Sequence, residues 1–203
     1  MRLGVVLLCA GKSSRMGSPK MLLPWGSTSI VGHLMRTWRE LGAVQVAVVC
    51  AAGDSALSAE LDQLRVSKHV RILNPQPERG MFSSVQCAAR WSGWQNGLTD
   101  WVIALGDQPH LKLGTLRELL AFRLTHPNTI CQPAFGGAPK HPVLLPRRAF
   151  EELRQTSCAM LKDYLAQTSI PKAVCELTDA GLAMDLDTPA DYQNALQLFL
   201  RNS

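Results

Sequence analysis

The chain has 203 residues, 46% hydrophobic and 18% charged, with 21 Lys and Arg against 16 Asp and Glu for a net charge of +5. That length fits one α/β domain. No apolar run approaches the roughly 20 residues of a membrane span, and the first apolar stretch leads into a glycine loop rather than a secretory cleavage site. Six cysteines stand singly with no C-x-x-C pair, so neither a disulfide framework nor a zinc site is indicated, and free thiols in a reducing cytoplasm are expected. The basic excess is dispersed along the chain, which argues against nucleic acid as a partner and suits a small anionic substrate.

The first predicted element is a buried strand over 3–9, and it opens into Ala10-Gly11-Lys12-Ser13-Ser14-Arg15-Met16-Gly17-Ser18-Pro19-Lys20. Small residues leave backbone N–H groups uncovered for phosphate oxygens, while Arg15 supplies a two-pronged donor and Lys20 a compact charge. The loop is not a Walker A motif, because Val6 stands where its first glycine belongs. Nor is it a G-x-G-x-x-G dinucleotide loop, because Ser13 replaces the second glycine.

Apolar spacing at Ile30, Val31, Leu34, Trp38 and Leu41 predicts a helix that Gly42 ends, followed by a strand over 44–50. Asp54 or Ser55 caps a helix to about Leu64, and a short strand covers 70–73. The Pro- and Gly-containing stretch 74–80 breaks the chain before a helix over about 82–91, whose opening Gly80-Met81-Phe82-Ser83-Ser84 offers N–H groups and hydroxyls to a cap or an anion. Trp91 and Trp94 read as packing residues.

A fully apolar strand over 101–105 ends in Gly106-Asp107-Gln108-Pro109. A carboxylate there faces the same sheet edge as the first loop. It would repel a bound phosphate unless a cation lay between them, and Mg²⁺ is such an ion, held by one or two carboxylates plus substrate phosphates. Beyond it come a helix over 113–124, strands over 129–132 and 143–145 flanking a turn-rich segment, two helices between 147 and 166, and a strand over 173–177. The chain closes on Asp185-Leu186-Asp187-Thr188-Pro189 and a last helix with Thr188 as cap. In extended backbone Asp185 and Asp187 share a face, which fits either a paired carboxylate site or turn and cap chemistry. Alternating strands and helices predict a mostly parallel sheet covered on both faces.

These segments resemble the nucleotidyltransferase family of molybdenum cofactor cytidylyltransferases. Its opening L-A-A-G-x-S-x-R-M-G-x-x-K pattern is met from Leu8 to Lys20 with Cys9 as one departure. Its G-M-x-x-S, G-D-Q-P, G-H-P-V-L and D-x-D-T-P motifs are met at Gly80–Ser84, Gly106–Pro109, Lys140–Leu144 and Asp185–Pro189. Lys140 stands where glycine is usual, and Thr156–Leu161 departs from the family's G-D-x-G-A-R stretch, so both departures fall on the acceptor side.

The resemblance implies a single three-layer α/β/α Rossmann-like domain over 1–203 with a small antiparallel extension. Residues to about 110 would bind the nucleotide and those from about 111 the acceptor. It implies Arg15, Lys20 and Asp107 as catalytic residues. Cys9, Ala10, Gly11, Lys12, Ser13, Ser14, Arg15, Lys20, Gly80, Met81, Ser84 and Asp107 would bind nucleotide. Lys140 and His141 would bind the acceptor, although a histidine beside proline also serves as an ordinary loop residue. Asp107 and Asp187 would hold Mg²⁺, or Mn²⁺, with Asp185 as the other candidate.

The implied reaction moves a nucleoside monophosphate, CMP from CTP, to a molybdopterin-type acceptor in the cytoplasm with release of pyrophosphate. A molybdoenzyme or cofactor chaperone would be its protein partner, with neither nucleic acid nor membrane involved. Two alternatives stand beside it: a sugar- or alcohol-phosphate nucleotidyltransferase of the same fold, and a nucleotide- or cofactor-binding protein without catalysis.

Overall fold

A computed structural model describes residues 1–11, 13 and 15–201, with no account of the Arg201 side chain. The chain opens with β1 (Leu3–Leu8), buried along its whole length. A one-turn 3₁₀ helix at Lys20–Leu22 and a two-stranded hairpin of β2 (Pro24–Trp25) and β3 (Thr28–Ser29) follow. Then come α1 (Ile30–Glu40), β4 (Gln45–Ala51), α2 (Ser55–Gln63), β5 (Arg71–Asn74), α3 (Met81–Arg90) and β6 (Asp100–Leu105). The second half runs α4 (Leu113–Thr125), β7 (Ile130–Phe135), β8 (Ala138–Pro139), β9 (Val143–Pro146), α5 (Arg147–Glu152), α6 (Leu161–Gln167), β10 (Lys172–Glu176) and α7 (Pro189–Arg201).

The main sheet has the order β10-β7-β9-β6-β1-β4-β5, with β8 paired to β7. Only β9 and β8 run antiparallel within it. Alternate residues of β1 serve opposite faces, as the pleat requires. Val5 and Leu7 pack with Leu34 and Trp38 of α1 and with Leu116 of α4, while Val6 and Leu8 pack with Phe82 and Val85 of α3 and Phe150 of α5. The result is an α/β/α sandwich with a mostly parallel sheet. None of the described helices is long and apolar enough to cross a membrane.

Local signals account for most boundaries. Ser29 Oγ accepts from Gly32 N at 3.3 Å to start α1, and Asp54 Oδ1 accepts from Leu57 N at 2.9 Å to start α2. Thr188 Oγ1 accepts from Asp191 N at 3.2 Å and donates to the Asp191 carboxylate at 2.7 Å, which fixes the first turn of α7. Trp91 and Trp94 do pack, edge to face with centroids 5.1 Å apart.

Topology places the site. From β1 the chain moves outward through β4 and β5, then returns over α3 to β6 on the other side of β1. The strand order therefore reverses between β1 and β6, and the crevice beyond their carboxyl ends is where open α/β sheets bind ligands.

Candidate functional site

Two loops leave that crevice, one after β1 and one after β6. Their bases touch: Gly106 N donates to Leu8 O at 3.0 Å. A Cβ at position 106 would lie 2.6 Å from Leu8 O and 2.7 Å from Met21 Sδ. Glycine is needed here for close approach, since a backbone oxygen cannot yield as a side-chain tip can. Gly106→Ala should cost about 1–3 kcal/mol through this overpacking, read as a lowered midpoint in urea unfolding; an unchanged midpoint would show that the two loops separate freely.

The first loop is anchored at both ends. Cys9 N donates to Val49 O at 2.9 Å, and Met16 is buried in the core. Ser13 adopts φ +48° and Gly17 φ +67°, the left-handed conformations that fold a short loop back on itself. Ser13 Oγ accepts from Lys20 N at 3.2 Å and closes the loop. Lys12 and Ser14 lie outside the described residues.

A cleft of about 330 Å³ opens between these loops and α3, lined by Cys9, Ala10, Gly11, Ser13, Lys20, Gly80, Met81, Ser84 and Asp107 among others. Gly80 turns into α3 at φ +88° and has no side chain with which to cap that helix, an arrangement that leaves N-terminal N–H groups open to an anion. Asn74 Nδ2 donates to Ser83 Oγ at 2.8 Å and to Ser84 Oγ at 2.9 Å, bracing the turn from β5 into α3.

Lys20 and Asp107 line this cleft, and they meet Asp187 and, through it, Arg15, which are not among its lining residues. Lys20 Nζ lies 3.6 Å from Asp107 Oδ2 and 3.5 Å from Asp187 Oδ1, and Arg15 reaches Asp187 Oδ2 at 2.9 Å. The lysine is only 8% exposed, whereas the Arg15 side chain is 71% exposed. Asp107 Oδ1 is buried with no hydrogen-bond partner among the described residues. Burial raises the Asp107 carboxyl above its usual range; Lys20 opposes the rise, and Asp185 and Asp187 add to it. An acceptor-only oxygen left unpaired inside a cleft is a defect unless a ligand completes it.

The two late aspartates part company. Leu186 is fully buried, and its N–H donates to Asp107 O at 3.3 Å, so the segment lies against the β6 loop. Asp187 faces the cations, while Asp185 Oδ1 accepts from Gln108 Nε2 at 3.3 Å. The sequence reading assigned no role to Gln108, which is 5% exposed and ties the two acidic segments together. Its place inside the G-D-Q-P motif was the available signal.

Lys140 and His141 lie in the connection between β8 and β9 and are not among the residues lining the cleft. His141 Nδ1 donates to Ile103 O at 3.4 Å, and burial pushes its imidazole below the ordinary histidine range, with the Asp185 carboxylate opposing. The Lys140 main chain is fixed by its N–H to Pro133 O at 2.8 Å and by Gln132 Nε2 to its carbonyl at 3.2 Å. Among the described residues, no three His, Cys, Asp or Glu side chains are grouped closely enough to hold a metal by themselves.

Residues 5–171 match the MobA-like NTP transferase domain. The molybdenum cofactor cytidylyltransferase of Escherichia coli K12 is 23% identical over 195 residues, covering 96% of this chain and 95% of that protein. A nucleotidyl transferase from Methanothermobacter superposes with TM-score 0.80 at 17% identity, over 100% of this chain and 99% of its own. A Mycobacterium tuberculosis H37Rv protein solved in complex with manganese superposes at TM-score 0.69 and 22% identity, over 97% of this chain and 99% of its own.

Proposed function

The chain belongs to the MobA-like NTP transferase family and is a nucleotidyltransferase, and on that premise we propose that it moves CMP from CTP to a molybdopterin-type phosphate acceptor. The observation that carries this reading is the convergence of Asp107 and Asp187 on Lys20, with Lys20 and Asp107 lining the switch-point cleft. The E. coli relative supports the choice of CTP and acceptor.

The carboxylates of Asp107 and Asp187, with one Asp107 oxygen unpartnered among the described residues, are hard oxygen donors that fit Mg²⁺ or Mn²⁺, with substrate phosphates completing the set. The manganese complex of the mycobacterial neighbour supports a divalent ion of this kind. Asp107 and Asp187 would hold that ion, which neutralises phosphate charge at the reacting centre.

The chain's own groups then do the positioning. The loop from Cys9 to Lys20 and the N-terminus of α3 receive the nucleotide, and Arg15 and Lys20 exchange their carboxylate partners for phosphate oxygens. An acceptor phosphate oxygen forms the new bond to the α-phosphorus, the bond from that phosphorus to the bridging oxygen breaks, and pyrophosphate leaves with its electron pair. No general base is needed, because the acceptor is already an anion at neutral pH. Orientation and electrostatic stabilisation supply the rate.

Lys140 and His141 are assigned to the acceptor. A neutral His141 serves there as a hydrogen-bond partner, and Lys140 supplies the charge. A molybdoenzyme or cofactor chaperone in the cytoplasm would take the product.

Pyrophosphate release measured with each of the four NTPs, with and without molybdenum cofactor, tests this reading. CTP plus cofactor should give the highest rate, and omission of Mg²⁺ should abolish it. Release that depends on a sugar phosphate and ignores the cofactor would move the assignment to a different acceptor. NTP binding without release from any combination would overturn catalysis.

A further inference from the structure

The two acidic segments, Asp107 and Asp185–Asp187, belong to different parts of the chain, and their spacing must be set by something other than sequence neighbours. Behind them sits Asp179, a carboxylate only 8% exposed. Its Oδ2 accepts from Thr115 Oγ1 at 2.7 Å and from Lys112 N at 3.4 Å, both at the start of α4. Its Oδ1 accepts from Gly181 N at 3.0 Å, in the 3₁₀ turn Ala180–Ala183 that leads into Asp185. His110 Nε2, three residues beyond Asp107, donates to Gly181 O at 2.9 Å. The side chain of Lys112 does not cap α4, and the Asp179 carboxylate lies at that helix start from a different element, at the positive end of the helix dipole.

We infer that Asp179 is a positioning residue that locks the loop after β6 to the segment carrying Asp187 and so fixes the distance between the two metal-type carboxylates. The inference rests on the reading of Asp107 and Asp187 given above. The bond to Gly181 N caps Asp179's own 3₁₀ turn, and the bonds from Lys112 and Thr115 tie that turn to the end of the loop after β6. Gln108 to Asp185 and Leu186 N to Asp107 O join the same two segments nearer Asp107. Groups that orient metal-binding side chains affect metal affinity as well as stability.

The test compares Thr115→Val with Thr115→Ser. Valine keeps the volume and removes the hydroxyl; serine keeps the hydroxyl and loses a methyl. Positioning predicts that T115V weakens Mn²⁺ binding in the presence of CTP, followed by electron paramagnetic resonance, by about 10-fold, lowers kcat similarly and moves the KM for CTP less than about twofold. T115S should return both to within about threefold of wild type.

A purely packing role predicts the reverse order, with serine the worse variant. Should T115V fail to fold, Asp179→Asn, which keeps one acceptor oxygen, is read at the same two observables. Wild-type Mn²⁺ affinity in a folded T115V or D179N protein overturns the inference. Failure of the wild-type protein to release pyrophosphate from any NTP overturns the proposed function instead, and the Mn²⁺ measurement still decides the role of Asp179.

Discussion

Asp107→Asn should lower turnover by about 10³-fold, as loss of one preorganised electrostatic group does in other transfer enzymes, while the protein unfolds at the same temperature as wild type or a higher one. The two halves have one cause. Burial holds the Asp107 carboxyl above its usual range, with Lys20 only partly offsetting it. A raised folded pKa means that the charged form costs stability at pH values above it. That cost is relieved as pH falls through the folded pKa toward the unfolded one. Asparagine cannot ionise, so the variant's melting advantage should be largest near neutral pH and shrink in acid. Thermal unfolding across pH, beside pyrophosphate release at pH 7, checks both halves. A variant that turns over normally, or that melts well below wild type at pH 7, removes Asp107 from the reaction or makes it a structural acid.

The same tension between function and stability explains which parts of the site could be read from sequence. β1, β4 and β6 are buried on both faces, so their apolar runs stand out without any alternation. The glycine-containing loop after β1 and the two acidic motifs are local strings that follow directly on strands or precede a helix, so their position at the sheet edge followed from element order. The hairpin at Pro24–Ser29 was not anticipated, because two-residue strands carry no periodicity. Its signal was Gly26-Ser27 between Trp25 and Thr28, with Gly26 at φ +59° in the turn.

In sequence Gly106 only marks the end of an apolar strand, whereas its task is to let β6 pass the Leu8 carbonyl, a contact across 98 positions that no local pattern encodes. The tie from Asp179 to Thr115 spans 64 positions and is silent for the same reason. Asp185 and Asp187 were equivalent by spacing. Their split between Gln108 and Lys20 depends on how the segment crosses the β6 loop, which is a property of packing.

Lys20 carries the second large expectation, because its two effects have opposite signs. With no nucleotide present, its ammonium supplies the positive charge between Asp107 and Asp187, at 3.6 and 3.5 Å. A divalent ion entering that site must displace it. Lys20→Met keeps the buried stem and removes the charge. Mn²⁺ should therefore bind the nucleotide-free variant several-fold more tightly than wild type, since the competing cation is gone. Turnover with CTP should nevertheless fall by about 10²–10³-fold, because the triphosphate loses its buried cation.

Lys20 is also the main influence lowering the Asp107 pKa, so its removal raises that carboxyl further, and the acid limb of the pH–rate profile should move to higher pH. Arg15→Met is the contrast. Its pairing with Asp187 is made by a side chain that is mostly in solvent, so its loss should raise the KM for CTP with little change in Mn²⁺ affinity or melting temperature. Calorimetric Mn²⁺ titration of nucleotide-free K20M decides the matter. Weaker binding than wild type would mean that Lys20 supports the metal site, whereas tighter binding with failed turnover means that it occupies the ion's place until the nucleotide arrives.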